Sequence, residues 1–140
     1  MIYLIALGLG FVSGLRTFTS IAALLLVRGG TWGIVACIAA LGEYVIDLMP
    51  WVPSRTAMPS IIVRSLSGAF VGYLFATMHG ASGLIGGVGG VIGAIAGTFG
   101  GHSVRLWAID RIGAIPAGLA EDLIAIGIAI SLVLAPIPGG

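Results

Sequence analysis

Charge is what this chain has least of. Asp, Glu, Lys and Arg make up 8% of its 140 residues, where a soluble domain carries about 25% because its surface must be solvated. A water-soluble globule of this size is therefore excluded. Lysine is absent altogether, and all six cationic residues are arginines. Arginine holds its charge when buried and offers a planar fork to carboxylates and phosphates, whereas lysine readily loses its proton. The bias suits cations kept inside the protein. Cysteine occurs once, at Cys37, which rules out an intramolecular disulfide and a cysteine metal site. No basic run is present and the net charge is +1, so nucleic acid is not an expected partner. The opening Met1-Ile2-Tyr3-Leu4 lacks the basic n-region of a secretory signal, so the first apolar run is expected to be a span and not a cleaved leader.

What is present is apolar: 59% of residues are hydrophobic and the mean hydropathy is +1.19. A helix that crosses a bilayer needs about 20 mostly apolar residues. Runs of that kind cover residues 2–27, 31–49, 60–78, 84–109 and 117–135. They predict an all-α polytopic membrane protein of about five transmembrane helices, with residues 1–140 forming a single transmembrane domain. The first run is interrupted by Gly14 and Arg16. It is either one tilted helix or two half-helices broken near Ser13-Gly14, since glycine weakens a helix and polar side chains can take up the freed backbone groups. The prolines Pro50, Pro53 and Pro59 exclude a helix interior and mark the main loop. Asp110 to Pro116 marks a second, shorter one.

With five spans, the N-terminus, the Pro-rich loop and the Asp110–Pro116 loop share one face. All five acids (Glu43, Asp47, Asp110, Glu121, Asp122) fall toward it, as do His102 and four of the six arginines, Arg55, Arg64, Arg105 and Arg111. The arginine bias puts that face and the N-terminus in the cytoplasm, with the protein in a bacterial inner membrane; dual topology with antiparallel dimers is the alternative. Arg16 falls near mid-depth, where a charge costs from roughly 3 to above 10 kcal/mol unless protein or water surrounds it. Residues three or four apart share a helix face. That spacing aligns Arg64, Gly68, Gly72 and Ala76 on the third span, Ala36, Ala40, Glu43 and Asp47 on the second, and Ala117, Glu121, Ala125 and Ala129 on the fifth. Each charge then points where helices pack. Glu43 and Asp47 are candidates to meet Arg16 or Arg64, and Glu121 or Asp122 to meet the other. Gly89, Gly93, Gly97 and Gly101 also recur every four residues, with Gly86 and Gly90 on a neighbouring ridge. Such a stripe lets another backbone approach closely, within a monomer or between monomers. A homodimer is expected, because so few helices rarely enclose a pathway.

Three short motifs occur in order: Gly14-Leu15-Arg16-Thr17-Phe18 in the first run, Glu43 followed by Pro50-Trp51-Val52, and Glu121-Asp122 before the last apolar run. Together they resemble a family of small multi-span bacterial membrane proteins of unknown function, whose first helix carries the Gly-x-Arg-x-Phe pattern. Pro53-Ser54-Arg55-Thr56 follows Trp51-Val52 where an acidic continuation is common in that family. The resemblance implies a membrane protein with an intramembrane arginine and acidic partners. It implies no activity.

Ionisable residues inside a membrane are a functional hypothesis by default. The function they predict is a small transporter or channel-like protein that moves an ion or small polar solute through a charged intramembrane vestibule. Its expected lining is Arg16, Thr17, Thr19, Glu43, Asp47, Arg64, His102, Arg105, Glu121 and Asp122. Gly68, Gly72, Gly89, Gly93, Gly97 and Gly101 are expected to pack helices. Ser20, Ser65 and Ser67 are read as ordinary membrane-helix hydroxyls that bond a carbonyl one turn earlier. Two rival classes remain. One is a structural or assembly protein whose ion pairs fix helix register; the other is an enzyme acting on a lipid head group, with Arg64 and Arg105 on the phosphate. No Gly-x-Ser-x-Gly or His-Glu-x-x-His pattern appears, so no catalytic residue, metal or cofactor is assigned.

Overall fold

The structure, a computed structural model, describes residues 1–47 and 58–137, with Ile46 and Asp47 placed through their backbone alone. It is all helical: α1 (Ile2–Leu15), α2 (Thr19–Arg28), α3 (Thr31–Asp47), α4 (Met58–Met78), α5 (Gly83–Ile112) and α6 (Ala114–Val133). Among them α4, α5 and α6 are long and apolar enough to cross a membrane, while α1, α2 and α3 are apolar but shorter. At a rise of about 1.5 Å per residue, α4 is about 31 Å long, which matches the hydrocarbon thickness of a bilayer.

The first apolar run is two helices. Helix α1 stops because Arg16 takes an extended backbone conformation (φ −143°, ψ 117°), and α2 begins at Thr19. The chain does not resume its direction. Ser13 and Ser20 bond through their hydroxyls, Leu24 packs in one cluster with Ile5 and Leu9, and Ala23 packs with Val12. Thus α1 and α2 form a re-entrant hairpin with Arg16-Thr17-Phe18 at its tip. Gly29 (φ 81°) and Gly30 (φ 108°) then reverse the chain through backbone angles that glycine tolerates and other residues rarely adopt.

This extra reversal changes the arrangement expected from five spans. The Ser82 amide donates to the Tyr3 hydroxyl at 3.2 Å, so the start of α1 lies beside the α4–α5 turn. The N-terminal end is thus grouped with the Gly29-Gly30 and α4–α5 turns. The end of α3, the start of α4 and Gly113 lie at the other end, toward which the hairpin tip points. Among the described residues, the N-terminus therefore lies at the opposite end from the close of α3, the start of α4 and Gly113, unlike the five-span arrangement; the Pro-rich loop itself lies outside the described residues. The Asp110–Pro116 loop shrinks to Gly113 alone (φ 89°), because Pro116 sits in the first turn of α6, where a missing N–H costs nothing. Pro50 and Arg55 lie outside the described residues.

Helices α1, α4 and α5 pack as the central unit, and glycine permits it. A Cβ on Gly90 would fall on the Gly68 carbonyl of α4, and one on Gly93 or Gly97 would fall on the Leu7 or Phe11 carbonyl of α1. The two ridges of α5 therefore serve two different neighbours. Gly72 meets Gly86 in the same way, Gly101 meets the Leu15 side chain, and Gly89 stands farther off, with Tyr3 O at 3.8 Å from its would-be Cβ. Without water between helices, close van der Waals packing is what drives such association. Large apolar residues face outward, among them Leu4, Ile38, Leu66, Leu84 and Leu123, while the buried positions are mostly Ala, Gly and Ser with a few larger side chains such as Phe75 and Leu9.

Candidate functional site

A broken helix inside a membrane leaves backbone groups that no water can satisfy. Here side chains from other helices take them up. Glu43 of α3 accepts the Thr17 amide at Oε1 (2.7 Å) and the Phe18 amide at Oε2 (3.0 Å). Its negative charge sits at the positive end of the α2 dipole. Arg64 of α4 does the converse at the end of α1. Its Nη1 donates to the carbonyls of Gly14 (2.6 Å) and Leu15 (2.9 Å), and its Nε donates to Ser60 (3.1 Å). Ser67 donates to the Thr17 carbonyl, and Thr98 reaches the Gly14 carbonyl at 3.4 Å. Hydrogen bonds to charged groups contribute about 1.5–3 kcal/mol each. The break is thus bracketed by one anion and one cation of matching sign, with Arg64 Nη2 and Glu43 Oε1 at 3.8 Å. Gly14 serves a different purpose, since a Cβ there would lie 2.6 Å from the Thr98 nitrogen. It admits α5, and the bend itself falls at Arg16 to Phe18.

The side chain of Arg16 is only 2% exposed and forms an ion pair with Asp122 of α6. Its guanidinium carbon lies 5.0 Å from the centre of the Tyr44 ring, a cation–π contact within the usual range. The Tyr44 hydroxyl in turn bonds Thr19 Oγ1 at 2.6 Å. Of the two pairings open to the sequence, Asp122 takes Arg16 while Glu43 lies against Arg64. Measured along α4, Arg64 stands six residues from Met58, or about 9 Å from that end of the helix. Arg64 is thus nearer the midpoint of α4 than its end. Thr98 at the midpoint of α5 reaches Gly14, and Asp122 beside the midpoint of α6 pairs with Arg16, so the tip lies nearer the middle of these helices than their ends.

The remaining candidates are dispersed. Arg105 Nη1 and Glu121 Oε2 are 3.5 Å apart where α5 meets α6, next to Gly101 and Gly118. His102 is half-buried on α5 and does not bond into the tip. The side chain of Asp47 lies outside the described residues. Thr17 contributes its buried position and its backbone, and Thr19 its hydroxyl. Tyr44, Ser60, Ser67 and Thr98 belong to the site but are absent from the expected lining. The sequence signal for Tyr44 is an aromatic hydroxyl in the same helical turn as Glu43. Ser67 reads as an ordinary helix hydroxyl, yet it bonds the Thr17 carbonyl across helices.

Two apolar cavities open between helices. One, of about 270 Å³, lies between α2, α3 and α6, lined by Ala22, Ala23, Leu26, Cys37, Leu41 and Ile130, with Thr19 and Tyr44 at the end nearest Arg16. The other, of about 230 Å³, lies between α1, α5 and α6 and includes Phe11, Leu15 and Ile124 beside Arg105 and Glu121. Arg16 lines neither.

These features define the class: a polytopic helical membrane protein with charged side chains paired inside apolar helices. Comparison of the chain with family models, with curated proteins and with solved structures finds no match.

Proposed function

We propose that this protein is a small membrane transporter whose ion or small-solute site is the buried Arg16–Asp122 pair. One observation carries the reading. The backbone groups freed by the break are taken up by Glu43, Arg64 and Ser67, so closing the tip does not itself account for a second ion pair beside it. A buried ion pair is commonly no more stabilising than an apolar pair of similar volume, and membrane charges mark substrate or ion pathways. A re-entrant hairpin is also the kind of discontinuous helix around which transporters build midplane sites. The reading carries with it a bacterial inner-membrane location and a homodimer, and it fits membership of the small membrane protein family suggested by the Gly14–Phe18, Glu43–Trp51 and Glu121-Asp122 motifs.

The test is flux in proteoliposomes across a panel of small ions and polar solutes. The paired replacement Arg16→Met with Asp122→Leu removes both charges without stranding either one. It is expected to fold and to abolish the flux seen with wild type. Wild-type protein that moves nothing in the panel, or a folded double variant with undiminished flux, refutes the transporter. The second reading, a structural or assembly protein, is favoured by the capping bonds of Glu43 and Arg64, and it gains if the double variant folds and keeps every property of wild type.

A further inference from the structure

The larger cavity ends on the residue that covers Arg16. Thr19 and Tyr44 belong to its lining, their hydroxyls are bonded to each other, and the Tyr44 ring also meets the Arg16 guanidinium at 5.0 Å. Apart from the Cys37 thiol, the rest of the lining is hydrocarbon: Ala and Leu from α2, Ala40 and Leu41 from α3, Ile126 and Ile130 from α6. Leu41 and Ile130 are well exposed on the outer surface of the helices, so the cavity opens sideways, toward lipid. A hydrated ion would lose its water in such a space and gain no partner on the way. An apolar cavity of roughly 150 Å³ stays dry and admits a molecule the size of benzene. The present one, at about 270 Å³, accommodates a short alkyl chain.

We propose that this cavity is the substrate vestibule, that Tyr44 is its inner gate, and that the substrate is a lipophilic monocarboxylic acid with a chain of about eight carbons. This rests on the transporter reading and narrows it. The chain occupies the space between α2, α3 and α6, and the acid group meets the Thr19 and Tyr44 hydroxyls first. When the Tyr44 ring swings aside, the acid's O–H bond breaks and its proton goes to an Asp122 carboxylate oxygen. Arg16 then exchanges Asp122 for the new carboxylate. One anion replaces another at the guanidinium, so the site stays neutral throughout and no unpaired charge is exposed to hydrocarbon. Tyr44 is a positioning residue here: it controls access to Arg16.

The experiment is equilibrium binding of radiolabelled octanoate to the purified protein in lipid nanodiscs, corrected for empty nanodiscs and competed with unlabelled octanoate, octanol and acetate. Octanoate is expected to displace the label at least tenfold more effectively than either competitor. Octanol lacks the carboxylate and acetate lacks the chain. Arg16→Gln is expected to abolish binding. Because that variant strands Asp122 and is at risk of misfolding, Ile130→Trp provides an independent arm: it fills the cavity mouth from an exposed position, leaves the ion pair intact, and is expected to weaken octanoate binding at least tenfold. Equal competition by octanol, equal competition by acetate, or unchanged binding in Ile130→Trp overturns the proposal. Flux separates it from the reading beneath it. Saturable octanoate binding with no flux of any solute removes the transporter and keeps the site; flux of a hydrophilic solute without octanoate binding removes the vestibule and keeps the transporter.

Discussion

At the scale of single residues, the charges divide by what they hold. Glu43 and Arg64 lie 3.8 Å apart and also complete a backbone, whereas the contact between Arg16 and Asp122 is one of side chain with side chain. The division has a measurable consequence. Glu43→Ala leaves the Thr17 and Phe18 amides without their carboxylate, and two charge-assisted bonds are worth about 3 kcal/mol or more together. Unfolding by sodium dodecyl sulfate in mixed micelles is expected to show a loss of about that size. Glu43→Gln, which keeps one acceptor oxygen but not the charge, is expected to lose less. Ser67→Ala removes a neutral donor from the Thr17 carbonyl and should cost about 1 kcal/mol. Glu43 and Arg64 brace the same break, so their losses should not add. Strict additivity in a double-variant cycle would show that the two ends of the break are held independently.

At the scale of the helix, what decides position is how closely backbones approach. Gly90 faces the Gly68 carbonyl with no room for a methyl group, whereas Gly100 of the same helix has nothing within 4 Å of a would-be Cβ. Gly90→Val is therefore expected to force α4 and α5 apart, at a cost of about 2 kcal/mol or more. Gly100→Ala should be neutral or raise stability by about 0.5–1 kcal/mol, because alanine has less backbone entropy to lose in a helix. Parallel unfolding curves would check both, and equal effects at the two positions would sink the explanation. Much of this scale is legible in the sequence. Spacing by four puts Arg64, Gly68, Gly72 and Ala76 on one face, and all four are buried; Ala36 and Ala40 behave likewise. The break is legible as one of two alternatives, because a polar stretch inside an apolar run is visible in one dimension. Its direction is not. Whether a chain continues or doubles back after Arg16 depends on whether Glu43 and Arg64, 27 and 48 positions further along the chain, arrive to hold the freed groups. The choice of Asp122 over Glu121 for Arg16 has the same cause: adjacent residues on a helix point about 100° apart, and only the packing of α6 decides which one faces the tip. For Tyr44 the sequence offers only its place one residue after Glu43, because its importance lies in the Arg16 guanidinium that it covers.

At the scale of the whole molecule, the hairpin sets the sidedness. A continuous first span would carry the N-terminus to the end that holds Gly113, whereas the re-entrant hairpin leaves it beside the α4–α5 turn, where Tyr3 meets Ser82. Both arrangements place Thr31 and Ser82 at one end and Ala114 at the other, so loops alone do not distinguish them. The N-terminus does. In a Cys37→Ser background, Thr31→Cys, Ser82→Cys and Ala114→Cys would each be labelled with a membrane-impermeant maleimide in sealed vesicles of one orientation, and an epitope fused ahead of Met1 would be probed by added protease. The epitope is expected to be cut from the side that labels residues 31 and 82, and to be protected on the side that labels residue 114. Cleavage from the side of residue 114 would require a continuous first span. It would also remove the tip, because a helix that runs on through Arg16 has no freed Thr17 and Phe18 amides for Glu43 to hold. Labelling of every position from both sides would point to dual topology. The same hairpin that shields Arg16 would then occur in both orientations, and an antiparallel dimer would present its vestibule to both leaflets. If the proposed vestibule takes up a bilayer-dissolved acid, the sidedness of this one hairpin decides from which leaflet that acid reaches Tyr44.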